Sequence, residues 1–151
     1  DLDYTVDSSV LPGHYRELPN GVIVNHRGEA GNQPYRPNRE SHTTYGNRAL
    51  LEVPVSSLSP LDSISVGRSL TGVYNRIADS QPVDRLLPSM YHLWGRMSHA
   101  PIVLLFHDHE FETDDGSLAA LERFLESVES SPWLQFATIS DIATDWRPTG
   151  R

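Results

Sequence analysis

The stretch Ile102-Val103-Leu104-Leu105-Phe106-His107-Asp108-His109-Glu110 decides how the chain reads. A short unbroken apolar run, ending at Phe106, matches a strand buried on both faces, as in a parallel sheet. It stops abruptly at His107. A polar cluster directly after an apolar strand gains nothing for packing. In α/β folds with parallel strands, functional groups gather where the strands end. His107 is therefore a candidate catalytic residue, with an ordinary capped strand end as the bland alternative.

Working outward, Asp114-Asp115-Gly116-Ser117 reads as a turn and helix start. Leu118, Leu121, Phe124, Leu125 and Val128 then form an amphipathic stripe. Ser131-Pro132 breaks that helix, residues 134–138 read as a last strand, and Ser140 or Asp141 is expected to cap a short closing helix. On the other side, residues 82–97 keep Val83, Leu86, Leu87, Met90, Tyr91 and Trp94 on one helical stripe despite Pro88. A weaker helical pattern covers residues 69–78, through Leu70, Val73, Tyr74 and Ile77. The second half thus alternates helix and strand, an α/β signature.

The first third is different. Tyr4-Thr5-Val6 reads as the end of a strand, with Asp7-Ser8-Ser9 at its tip. Residues 10–48 are rich in Gly, Pro, Asn and Arg and read mostly as loop. Within them Asn20-Gly21 is a turn signal, with Val22-Ile23-Val24 as a short strand beyond it. Residues 50–55 read as another strand. Pro54 cannot donate to a ladder, which puts it at an edge or at the strand end. Asp7 and His107 both follow strands, so they are expected at one end of a mostly parallel sheet.

The chain has 151 residues, enough for one compact domain with a modest core. There are 20 acidic and 12 basic residues, a net charge of −8, and every basic residue is arginine. That balance argues against nucleic acid or an anionic membrane as the main partner, since both reward basic patches. With no cysteine, disulfides, zinc–thiolate sites and cysteine nucleophiles are excluded. No apolar run approaches the roughly 18 residues of a membrane helix. The sequence opens on Asp1 with a strand-like segment, so it is expected to be part of a longer protein, whose preceding part would hold any export signal.

The order Asp7-Ser8-Ser9, Tyr35-Arg36-Pro37, Leu51-Glu52-Val53-Pro54-Val55, Leu104-Leu105-Phe106-His107-Asp108-His109-Glu110-Phe111 and Trp133-Leu134-Gln135-Phe136-Ala137-Thr138-Ile139-Ser140-Asp141-Ile142-Ala143 resembles the later half of the polysaccharide deacetylases, the NodB-homology family. Each piece is short and degenerate; their order across nearly the whole chain carries the likeness. The resemblance implies an α/β fold, with residues 1–151 as the C-terminal portion of a distorted (β/α) barrel that removes acetyl groups from N-acetylated sugars. It makes His107 the general acid that protonates the leaving amine, a task suited to a side chain titrating near working pH. It makes Asp7 the late aspartate that tunes the catalytic histidine or an arginine near the base. Glu52 and Pro54 match a strand motif with a structural role.

The family's catalytic base and its metal-binding Asp and His belong to early motifs, and this sequence does not contain them. The resemblance therefore implies a divalent metal, zinc or similar, in the full domain, with no metal ligands in this chain and no activity from it in isolation. The implied partner is an N-acetylated saccharide or polysaccharide. Both the cell envelope and the cytoplasm of a bacterium remain open as locations. A non-catalytic carbohydrate-binding barrel and an amidohydrolase acting on another small amide are the rival readings.

Other residues weigh less. His107 and His109, two apart, could ligate a metal in H-x-H fashion. Asp114-Asp115 reads as a solvated helix start. His14, His26, His42 and His92 read as scattered surface or core residues, and His99 lies at the N-terminal end of the apolar run. Trp94, Trp133 and Trp146 could stack on sugar rings, but packing is the expected role of Trp94 and Trp133. Arg16, Arg27, Arg36, Arg39 and Arg48 could bind an anionic glycan, against a solvated loop as the favoured alternative.

Overall fold

A computed structural model of the chain describes residues 4–29, 31–58, 75–76, 101–105 and 115–147. The elements in chain order are β1 (Val6–Asp7), β2 (Tyr15–Glu17), β3 (Ile23–Asn25), β4 (Leu51–Glu52), β5 (Ser57–Leu58), β6 (Asn75–Arg76), α1 (Asp115–Glu129) and α2 (Ile139–Asp145). The strands pair as β1 with β4, β2 with β3, and β5 with β6. The β1–β4 pair is parallel, in the register Val6↔Leu51 and Asp7↔Glu52, and the other two are antiparallel. Helix α2 lies against β1.

Residues 51–56 form the buried spine of the described region. Val53 and Ser56 are 1 % exposed, and Leu51, Val55, Val10 and Tyr35 join them in the core. Along one edge of this spine, Leu51 N–H donates to Thr5, Val53 to Asp7 and Val55 to Val10, at 2.8–2.9 Å. Along the other edge, Glu52 exchanges two backbone bonds with Tyr35, at 2.8 and 2.9 Å. Pro54 falls on that second edge, where it has no N–H to offer. It marks the point at which the neighbour changes from Tyr35 to Val103. Ser56 donates its N–H to the Val103 carbonyl and accepts the Val103 N–H on its hydroxyl, both at 2.9 Å. Pro54 is thus fully buried, just past the end of β4, and the ladder closes around its missing donor.

The β2–β3 hairpin forms where Asn20-Gly21 signals a turn. Gly21 N–H closes on the Leu18 carbonyl at 2.9 Å, and Gly21 itself has φ +78°, a backbone state that a Cβ disfavours. The Arg27 guanidinium stacks 4.6 Å above the Tyr15 ring, a cation–π contact that covers part of the hairpin.

Helix α1 follows the expected stripe in part: Phe124 and Val128 are buried, while Leu118 and Leu125 are 51 % and 41 % exposed. Helix α2 is capped by Thr138, not by Ser140 or Asp141. The Thr138 hydroxyl accepts the Asp141 N–H at 3.1 Å, and the Asp141 carboxylate accepts the Thr138 N–H at 3.0 Å, a reciprocal capping box.

Several expected elements differ. Residues 101–105 form no strand among the described residues, and they are half-buried at most, with Leu105 38 % exposed. Their backbone is tied to the spine through Ser56 alone among the described residues. Residues 134–138 form no strand among the described residues, with Phe136 61 % exposed. Asn75–Arg76 is a strand paired to β5, inside the segment whose spacing reads as a helix. The expected helix over 82–97 lies outside the described residues.

Candidate functional site

Asp7 ends β1, and its exposed carboxylate is held by its own turn. One oxygen accepts the Ser8 N–H and the other accepts the Ser9 hydroxyl, both at 2.9 Å. The turn is anchored beneath by Glu52, the register partner of Asp7. Glu52 is 2 % exposed. Its Oε1 accepts the N–H of Ser9 at 3.1 Å and of Val10 at 2.8 Å. Burial pushes the Glu52 carboxyl above its usual range, and the nearby Asp7 charge adds to this. The two backbone donors act in the opposite direction.

Tyr35 packs beside this pair. Its hydroxyl donates to the His42 carbonyl, and its ring meets that of Tyr45 edge-on with centroids 5.3 Å apart. Burial, then the Glu52, Tyr45 and Asp7 groups, hold the phenol well above its ordinary value. Tyr35 is therefore neutral and a hydrogen-bond donor at every working pH. The next residue, Arg36, turns its guanidinium onto the carbonyls of Arg48 and Ala49, while Arg48 reaches the Arg39 carbonyl at 2.6 Å. These arginines bind the loop's own backbone, in keeping with a structural loop rather than a glycan-binding one.

The loop also gathers three histidines that look scattered in the sequence. The His26 ring lies 6.1 Å from His14 and 5.4 Å from His42. Its Nδ1 accepts the Leu11 N–H at 3.0 Å. Burial, then His42 and His14, depress its affinity for a proton. No sequence signal places these three together; the contact depends on the hairpin's return.

Among the described residues, no group of three or more His, Asp or Glu side chains is arranged to hold a metal ion. No described helix is long and apolar enough to cross a membrane. An open groove of about 940 Å³ runs between residues 101–104, α1 and the 133–146 segment. Asp7 and Glu52 do not line it, and Trp133, expected to pack, stands 74 % exposed beside it.

Of the two expected catalytic residues, Asp7 has the surroundings just given, and His107 lies outside the described residues, as do His109, Asp114, His92, His99 and Trp94. Glu52, read from sequence as a strand residue, is the residue most closely built into the Asp7 turn. A signal for it exists in the sequence: one acidic residue within Leu50-Leu51-Glu52-Val53-Pro54-Val55. A carboxyl in such a run needs a dedicated partner. Neither a protein-family model, nor a curated protein, nor a solved structure matches this chain.

Proposed function

We propose that this chain is the later part of a polysaccharide-deacetylase-type (β/α) barrel, and that the full domain hydrolyses N-acetyl groups on a saccharide. The observation that carries this reading is the Asp7 turn. An acidic side chain leaves the C-terminal end of β1, a strand paired in parallel with the buried spine, and it is oriented by Ser8 and Ser9. That is the placement expected of an active-site carboxylate in an α/β fold. The ordered sequence pieces ending in His107-Asp108 support the same assignment.

In this reading His107 protonates the amine nitrogen as the tetrahedral intermediate collapses, because an amine leaves poorly unless protonated. Asp7 accepts a hydrogen bond from the residue it tunes and keeps that residue's charge state and orientation. A divalent cation, where bound, would polarise the amide carbonyl and activate water. In this reading its ligands belong to early motifs that this sequence lacks.

The test is acetate release from an N-acetylated chitin oligomer by the full-length protein that this reading expects. Wild type is expected to release acetate, and Asp7→Asn to release it roughly tenfold more slowly or worse, with an unchanged circular dichroism spectrum. Glycan binding without acetate release would assign the fold to a carbohydrate-binding barrel instead. Release of another small acid from a different amide would assign it to an amidohydrolase.

A further inference from the structure

The register of the spine changes beside Asp7. Donors Leu51, Val53 and Val55 step by two residues, whereas their acceptors are Thr5, Asp7 and Val10. A regular parallel ladder would use the Ser9 carbonyl in place of Val10. One extra residue is therefore accommodated between Asp7 and Val10, as in a β-bulge, a device that re-aims a side chain next to functional sites. Such an insertion strands backbone donors. Val10 is fully buried, and a buried N–H without an acceptor is destabilising. The donors at the insertion belong to Ser9 and Val10, and both are taken by Glu52 Oε1. The same insertion lets the chain turn so that Ser8 N–H and Ser9 Oγ can close on the Asp7 carboxylate.

We infer that Glu52 is a positioning residue for Asp7: its buried carboxyl serves as the acceptor that holds the inserted residue, and so fixes the direction in which the Asp7 carboxylate leaves the sheet. The inference rests on the reading of Asp7 as part of the active centre. Glu52 acts here through the reach of its oxygen, not through charge. A side chain that offers a neutral oxygen at the same reach will do, and a shorter one that keeps a carboxylate will not.

The experiment compares Glu52→Gln with Glu52→Asp by two readouts. The first is amide hydrogen exchange at Ser8, Ser9 and Val10 in this chain, with Ser8 reporting the Asp7 turn. The second is acetate release from an N-acetylated chitin oligomer by the full-length protein. Glu52→Gln is expected to keep the protection of all three amides and the wild-type kcat. Glu52→Asp is expected to exchange at those amides roughly tenfold faster and to lose on the order of a hundredfold in kcat, as a misplaced catalytic group does, with KM little changed. Rescue by Asp and not by Gln would overturn the inference, because charge would then be what matters. Loss of protection in Gln would overturn it as well, even if Glu52→Asp fails to fold. If wild type releases no acetate, the deacetylase reading falls, whereas the exchange data still decide whether Glu52 holds the Asp7 turn.

Discussion

His26 accepts the backbone N–H of Leu11 on its Nδ1 at 3.0 Å, and that bond commits the imidazole to its neutral form with the proton on Nε2. Protonation would place a second donor against the Leu11 N–H, with His14 and His42 on either side. Burial, then His42 and His14, disfavour the charged ring, so the folded state takes up a proton less readily than the unfolded chain, whose histidine titrates near 6.5. The unfolded state binds more protons as pH falls through that value, so the His26 contribution favours folding at neutral pH and weakens below about 6.5. His26→Asn offers an oxygen near the Nδ1 position and does not titrate. Its urea midpoint is expected to be less pH-dependent than that of wild type between pH 5 and 7. Above pH 7 the two should differ by about 1 kcal/mol or less, the scale of one neutral hydrogen bond. A midpoint that depends on pH equally in both proteins would remove His26 from this role.

The Glu52 carboxyl has the opposite sign. Its folded-state proton affinity is raised above the ordinary value near 4.5, chiefly by burial. The folded state binds the proton more tightly than the unfolded state. The stabilisation is therefore complete below about 4.5 and is lost as pH rises through the raised value. Glu52→Gln carries no proton to lose and keeps an acceptor for Ser9 and Val10. Its stability relative to wild type is expected to grow as pH rises from 4.5 to 8. Urea titrations of both proteins at a series of pH values check this, and a difference that shrinks with rising pH contradicts it.

These two groups show what the sequence made legible and what it did not. The hairpin was readable because Asn20-Gly21 supplies its left-handed residue locally, and α1 because Phe124 and Val128 recur at helical spacing. The apolar run of residues 102–106 and the pattern of residues 134–138 read as strands. In the structure residues 101–105 and 134–138 form no strand among the described residues, since composition reports the affinity of a segment for a core and not the presence of a neighbour. Asn75–Arg76 pairs with β5 although its flanks carry helical spacing, a case of tertiary pairing overriding local pattern. The Thr138 cap was missed by two or three residues because Thr, Ser and Asp all serve as caps; only the reciprocal bond to Asp141 selects one. Asp7 was readable as a polar residue after a strand. The Glu52 support and the His14–His26–His42 cluster depend on contacts across 12 residues or more of chain, beyond the reach of spacing arguments.

Gly46 is required by close approach. Its N–H donates to the Arg36 carbonyl at 2.7 Å, beside the bridge between Pro37 and Tyr45. A Cβ there would run into Asn38 Cα, with Asn38 N at 2.7 Å and the Pro37 carbonyl oxygen at 2.8 Å. All three are backbone atoms, so no side chain can swing aside. Gly46→Ala is expected to lower stability by about 1–3 kcal/mol, the usual range for overpacking. Gly31→Ala meets no atom within 4 Å and is expected to be near neutral. Denaturant midpoints of the two variants check the contrast. Equal midpoints would mean that the loop around Tyr35 and Arg36 is free to shift.

The last prediction separates proton transfer from metal binding in the His107-Asp108-His109 stretch. If His107 is the general acid, its loss leaves the amine to depart unprotonated, and His107→Ala in the full-length protein is expected to cost about a hundredfold or more in turnover. His109 has no proton-transfer role in this reading, so His109→Ala is expected to cost far less. Two histidines spaced by one residue can also share a metal, on one face of an extended segment. In that case both variants would lose turnover alike, and the metal content of the purified protein would fall with each. The measurements are acetate release from an N-acetylated chitin oligomer and bound metal by elemental analysis, for wild type and both variants, with circular dichroism as the folding control. A large loss confined to His107→Ala, at constant metal content, supports the acid. Equal losses with falling metal assign the pair to a cation site, and unchanged turnover in both variants leaves the proposed mechanism without its acid.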